Sequence, residues 1–310
     1  MSQILSLILV YTEGWQDIAD FQRIKVYVEE MAPDINVFLA SNLSRNSYTR
    51  KIAARKPTLV FSPIKLLSFQ PIRGRFYVGQ PCSKLEEMKA LVAGGVRVPK
   101  FEEITPDTVL SEHDYGRYVV VKPSHPLASW GAGIELVRTN EVKYRSPSTY
   151  PVGHPGRLAP MFAQKFIDCG RAMTCRVLTF FGKPIFTYCR ESTRELQLEK
   201  KQGAFEIRDF MPTAPNSVAY VARATDLFAF AETAFRAVPH VALQGCDILR
   251  ARDGELYMLE INPGGGTWMF SNVNAHGYKQ RLNVNDLQDE FDAFRTCAKL
   301  LIERTRAEAT

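Results

Sequence analysis

The chain has 310 residues, 45% of them hydrophobic and 23% charged, a globular composition long enough for two or three packed lobes and unlike that of a disordered domain. No apolar run approaches the roughly 20 residues needed to cross a bilayer, which excludes a membrane-spanning protein. The net charge of +6 suits an anionic ligand; the basic residues are dispersed, and their one tight cluster, Arg50, Lys51, Arg55 and Lys56, reads as the wet face of a helix rather than a nucleic-acid footprint.

From the start of the chain, the apolar runs ILSLILVY, INVFLA and TLVFSP alternate with two helical patterns, the first carrying Ile18, Phe21, Ile24 or Val28, and Met31 at helical spacing. The first run lacks a preceding basic stretch and a following small-residue cleavage site, so it reads as a buried strand and not a signal peptide. Such alternation predicts an open parallel sheet over residues 1–81. The glycine fingerprint of a dinucleotide site is missing, since the first strand runs into YTEGWQD.

A second lobe is expected over 82–160. Ser83 and Glu86 form a capping-box pattern ahead of a helix that Gly94 and Gly95 stop. The strand YVVVK then ends at Lys122 before the loop PSHPLASWGAG, where backbone N–H groups around Gly131 and Gly133 can surround phosphate. The alternative is a solvated lysine at a strand end. Residues 139–160, rich in proline, glycine and polar side chains, predict a long connector. In the remaining 161–310, MFAQKFI, AMTCRVLTFF and PIFTYCR read as strands, 191–216 as irregular, 217–237 as an amphipathic helix and 284–308 as a C-terminal helix. The six cysteines show no CxxC pair or zinc-like spacing and read as free, small buried hydrophobes in a reducing cytoplasm.

The segment QGCDILRARDGELYMLEINPGGG is the most informative. Its Asp253–Gly254 pair predicts a two-residue hairpin turn with Arg252 facing Glu255. Counting back along both strands then sets Asp247 opposite Glu260, with Asn262 pointing the same way. Facing carboxylates repel unless a cation or a shared proton offsets them, and oxygen-only ligands favour magnesium or manganese. An exposed hairpin face with solvated acids is the alternative. Arg176 and Arg190, on neighbouring predicted strands, suit bidentate recognition of phosphate or carboxylate, or else snorkel at the sheet edge. Lys84, in the first turn of its helix, opposes the helix dipole and hints at an anionic partner. The PGGGTWMFSN stretch after Asn262 can line an acceptor site with Trp268 as a stacking face, or be a plain strand exit.

In order, SKLEEMKALVAGGVRVPKF, YVVVKPSHPLASWGAGIELV, FAQKFIDCGRAMTCRVLTFFGKPIFTYCR and GCDILRARDGELYMLEINP resemble the successive elements of the ATP-grasp superfamily, nearest the glutathione synthetase and ribosomal-protein glutamate-ligase branch. The resemblance covers about residues 82–270. It implies an α/β chain of α+β lobes preceded by the small open-sheet lobe, with ATP between the lobes. Lys84, Lys122 and the Gly131–Gly133 loop would meet its phosphates, and the backbone of Gln164, Lys165, Phe166 and Ile167 its adenine. Asp247, Glu260 and Asn262 would hold Mg2+, with Mn2+ admitted, and Arg190 with Arg176 would steady the transferring phosphoryl group. Lys165 and Thr174 depart from positions where relatives often carry acids. The implied activity joins small-molecule carboxylate and amine substrates through an acyl phosphate. A phosphotransferase and a non-catalytic ATP-binding module are the competing readings. The expectation includes no nucleic-acid or membrane partner, and it admits a homodimer.

Overall fold

The computed structural model describes residues 4–45, 48–126, 131–201 and 203–310. The N-terminal lobe comprises β1 (Leu5–Tyr11), α1 (Ile18–Met31), β2 (Ile35–Ser41), α2 (Tyr48–Ala53), β3 (Thr58–Ser62) and β4 (Arg75–Val78). Its sheet is parallel throughout, in the order β2-β1-β3-β4. Asp17 starts α1 by accepting the Ala19 N–H, and the helix buries Phe21, Ile24 and Val28, the spacing read from sequence.

The middle sheet follows α3 (Lys84–Ala93) and combines β5 (Phe101–Glu103), β6 (Tyr118–Pro123), β7 (Glu135–Arg138) and β8 (Met161–Lys165), with the short helix α4 (Glu112–Tyr115) at its margin. The strand order β5-β8-β6-β7 takes Met161–Lys165, grouped by sequence with the C-terminal residues, into the middle sheet. The expected connector carries only three single-turn 3-10 segments between residues 139 and 157. Gly94 lets α3 approach closely, because a Cβ there would meet the Ala237 Cβ at 2.3 Å. Ser83 makes no side-chain cap; instead the Lys84 N–H donates to the Ser124 carbonyl at 3.0 Å, which ties the helix start to the exit of β6.

The last sheet is antiparallel in the order β11-β10-β9-β12-β13: β9 (Arg171–Phe180), β10 (Lys183–Glu195), β11 (Ser217–Val221), β12 (Leu243–Arg250) and β13 (Leu256–Asn262). Short helix α5 (Ile207–Phe210) precedes β11, and α6 (Thr225–Ala237), α7 (Ala275–Leu282) and α8 (Ala293–Glu308) complete the chain. Two expectations are corrected here. Residues 217–221 pair with β10 as an edge strand, and the amphipathic helix starts only at Thr225. The C-terminal helix starts at Ala293, after Asp292 takes a positive φ of 47°.

One core joins the first and last lobes. Leu7, Phe21 and Val28 share it with Phe180, Phe186, Phe294 and Leu301, and Trp268 sits at its centre. Trp268 is 0% exposed, stacks on Phe294 at 6.0 Å and donates to Asp20 at 2.8 Å, so it is a core residue and not a stacking face for substrate. The expectation of six free thiols is also corrected. Cys175 and Cys189 are bonded, because the β9–β10 register sets them directly opposite with Cα atoms 4.0 Å apart.

Candidate active site

The cleft is built where α3, β6 and the β9-β12-β13 side of the last sheet converge. Asp247 on β12 faces Glu260 on β13, as the hairpin argument requires, but the route differs. The turn holds three residues, Arg252 to Gly254, closed by the Ala251 N–H donating to the Glu255 carbonyl at 2.8 Å, with Gly254 at φ 90°. An extra residue at Leu259 bulges out of β13 and restores the register, so two one-residue departures cancel. On its other side, Asp247 faces Arg176 of β9.

Those backbone pairings produce a dense charge cluster. Arg176 forks onto Asp247 with Nε and Nη2 donating at 2.7 and 2.6 Å. Lys84 reaches across from α3 and donates to Glu260 at 2.6 Å. Asn262 donates to Asp247 at 3.1 Å and to Glu260 at 3.4 Å, bridging the two acids. Lys122 is 7% exposed, lies over the Phe162 ring at 5.2 Å, and faces the same acids.

Burial and charge work against each other here. Burial pushes the Lys122 ammonium down to about 8, a shift that the Glu260 charge partly offsets. Burial also works to raise Glu260, but Lys84 and Lys122 outweigh it and hold the carboxyl down to about 2. The cluster therefore sets three cations against two facing carboxylates. A cleft with surplus positive charge can receive a polyanion, and its paired acids can accept a hard cation once their present partners shift.

Sequence reasoning missed Glu87. It lies on the buried stripe of α3 with Met88 and Leu91, 6% exposed, and accepts the Ile261 N–H at 2.6 Å, pinning the helix that carries Lys84 to the strand that carries Glu260. Burial raises its carboxyl to about 8. The available signal was an acid on the apolar side of an amphipathic helix. Tyr188 was missed as well. It faces Arg176 across β9 and β10, and its ring lies 5.5 Å from Tyr278 of α7.

Other expected residues lie farther from the acids. Arg190 shares the Arg176 face of the sheet, but its guanidinium donates to the Pro212 carbonyl at 2.8 Å. Gly131 and Gly133 have positive φ of 77° and 72°, which favours glycine at both; the loop residues 127–130 between Lys122 and Gly131 lie outside the described residues. In the expected adenine segment, the Lys165 and Phe166 N–H groups are already given to the Lys100 and Tyr118 carbonyls. Gln164 is buried, and among the described residues the Ile167 N–H has no backbone acceptor. Two carboxylates and one amide make up the expected metal set, and among the described residues no cluster of three His, Cys, Asp or Glu side chains assembles a metal site. No described helix is long and apolar enough to cross a membrane.

No family model matches the sequence, and no curated protein matches it. Solved structures do match the fold along nearly the whole chain. A structure of the ATP-grasp ligase PsnB complexed with a minimal precursor is similar with a TM-score of 0.52 at 15% identity, over 94% of this chain and 99% of that one. D-cycloserine synthetase DcsG matches with a TM-score of 0.52 at 16% identity, over 97% and 99%. A RiPP-associated ATP-grasp ligase from Chryseobacterium gregarium, in complex with ADP and a leader and core peptide, matches with a TM-score of 0.50 at 14% identity, over 97% of each chain. The fold is that of the ATP-grasp proteins.

Proposed function

We propose that the chain is an ATP-dependent ligase that joins a carboxylate, on an amino acid or peptide-like substrate, to an amine through an acyl phosphate. The observation that carries this reading is the cleft cluster, in which Lys84, Lys122 and Arg176 outnumber the facing Asp247 and Glu260. Surplus buried positive charge suits a polyphosphate, and two facing carboxylates with an amide suit a hard, oxygen-seeking cation. The PsnB structure with Mg and ADP supports the same pair of ligands here.

Asp247, Glu260 and Asn262 would hold magnesium or manganese, with the Asn262 amide turned so that its oxygen rather than its nitrogen meets the site. The ion would neutralise phosphate charge as the phosphoryl group transfers. Lys84 and Lys122 would exchange Glu260 for phosphate oxygens, and the Gly131–Gly133 loop would close over them. The Ile167 N–H is the donor left for adenine. Arg176, already in the cluster, would steady the transferring phosphoryl group; the same role for Arg190 requires its guanidinium to leave the Pro212 carbonyl. A carboxylate would then attack the γ-phosphate, ADP would leave, and an amine would displace phosphate from the acyl carbon.

The test is a screen of ADP release with ATP, magnesium and candidate acids, with hydroxylamine present. A ligase yields a hydroxamate with the correct acid. A stable phosphoester with an alcohol, and no hydroxamate with any acid, would overturn the reading in favour of a phosphotransferase.

A further inference from the structure

The N-terminal lobe carries a charge asymmetry that the cleft does not use. From residue 35 to residue 85 the chain has no Asp or Glu, and up to Arg75 it carries eight Lys and Arg, more than the net charge of +6 for all 310 residues. Among the described residues, Arg75 pairs with Glu308 at 3.6 Å and Arg73 donates to the Thr310 carbonyl. The other six, Arg45, Arg50, Lys51, Arg55, Lys56 and Lys65, have no ion pair among the described residues, whereas elsewhere Arg23, Lys100, Lys183, Arg250 and Arg304 each meet an acid.

Arg50 and Lys51 lie on α2, Arg45 precedes it, Arg55 and Lys56 follow it in the turn to β3, and Lys65 lies in the 63–73 segment. Helix α2 and that segment cover the sheet face away from α1 and α8, packing Ala53, Leu66 and Phe69 on Ile8, Val10 and Val60. The Arg50 guanidinium reaches the Gln70 carbonyl at 3.5 Å and links the two. Beside them is an apolar hollow of about 250 Å³ lined by Leu66, Leu67, Phe69, Pro71 and Phe76. Leu67 is 45% and Phe76 43% exposed, and Phe76 belongs to β4, the edge strand of the sheet. An edge strand presents backbone groups without a neighbour, and an extended peptide can add to it.

We infer that this outer face is a docking surface for an extended acidic peptide segment of a partner protein. Its carboxylates would meet the uncompensated cations, and its apolar side chains would enter the hollow beside β4. Charge complementarity selects the acidic partner, since like charges crowded without acids repel and gain most from an anionic surface. The apolar hollow beside the edge strand β4 selects a peptide over a nucleic acid, whose backbone has no apolar side chain to insert and cannot extend a sheet. The inference goes beyond the ligase reading and does not depend on it.

The probe is a fluorescein-labelled peptide of roughly a dozen alternating Glu and Leu residues, titrated onto the full chain at low salt and followed by anisotropy. The triple variant Lys51→Glu, Arg55→Glu, Lys56→Glu should weaken binding about tenfold or more, as should Leu67→Asp. A peptide with Gln for Glu should lose a similar factor. Far-UV circular dichroism and the melting temperature should be unchanged in these variants, which marks them as folded. Several outcomes overturn the inference: no binding to the wild-type chain, equal binding by the wild type and both variants, or tighter binding of a single-stranded oligonucleotide or of phosphatidylserine vesicles. A further one is a dimer in sedimentation that the triple variant dissolves, because the face would then pair two copies of this chain.

Discussion

The two charged regions of the molecule follow opposite rules. In the cleft, Arg176 and Lys84 each hold a carboxylate at 2.6 Å, on side chains no more than 27% exposed. On and around the outer face of the N-terminal sheet, six cations stand without an acid among the described residues. Solvation explains the difference. A charge withdrawn from water costs several kcal/mol unless an opposite charge replaces its hydration, whereas an exposed charge keeps its water and its partner contributes about 1 kcal/mol or less. The cleft can therefore be disrupted by single substitutions, and the outer face cannot.

Glu260→Gln should have the largest effect. It removes the anion that both Lys84 and Lys122 face, so turnover should fall about a thousandfold if the proposed phosphoryl transfer takes place there. Stability should drop by about 3 kcal/mol while the secondary structure is retained. Steady-state ADP release and thermal unfolding followed by circular dichroism check both, and near-normal turnover at ordinary magnesium would remove Glu260 from the site.

Lys122→Met sharpens the contrast between a cleft lysine and a surface lysine. Methionine fills similar space without a charge to bury, so stability should change by less than about 1 kcal/mol, yet turnover should fall by roughly a hundredfold or more. Lys143→Ala, at an exposed position in the connector, should leave both unchanged. Equal kinetics for the two variants would return Lys122 to an ordinary strand end.

Glu87 supplies a pH test. Its folded carboxyl, raised to about 8 by burial, lies above its unfolded value near 4.3, so the folded state holds the proton more tightly. The stability from that proton is fully present below about pH 4 and is lost as pH rises toward about 8, a decline on the order of 4 kcal/mol. Glu87→Gln can still accept the Ile261 N–H but cannot ionise. Chemical denaturation at a series of pH values should show a flatter profile for the variant over pH 5 to 8, and parallel profiles would refute the assignment.

The smallest effect is expected on the outer face. Lys51→Glu should change stability by no more than about 0.5 kcal/mol, with a slight gain at low salt as repulsion among its neighbours falls. A loss of several kcal/mol would mean that this lysine has a buried partner, and the contrast between the two regions would fail there.

Much of this organisation is legible in local sequence. Alternating apolar runs mark the parallel N-terminal sheet, and the Asp-Gly hairpin is legible from side-chain periodicity, although Asp247 faces Glu260 only because the bulge at Leu259 cancels the three-residue turn. Local pattern failed where a distant strand or core decided the outcome. Residues 217–221 carry helix-compatible spacing but become a strand because β10 offers them a free edge. Trp268 could have faced a substrate, yet the pocket between Phe21 and Phe294 takes it into the core. The free cysteine expectation failed for the same kind of reason: the Phe181–Gly182 turn alone would set Cys175 against Tyr188, and a bulge between Pro184 and Phe186 brings Cys189 opposite it instead.

By itself, the sequence determined most of the strands and helices of the N-terminal lobe, the hairpin that carries the two acids and the lysines at two element ends, since each follows from periodicity and short-range geometry. Only the tertiary structure decided which cation meets which acid. Lys84 and Glu260 are 176 residues apart, and Glu87 reaches Ile261 across a comparable separation of 174. Contacts of that range depend on how whole sheets pack, and the desolvation that makes them consequential exists only once the cleft has closed around them.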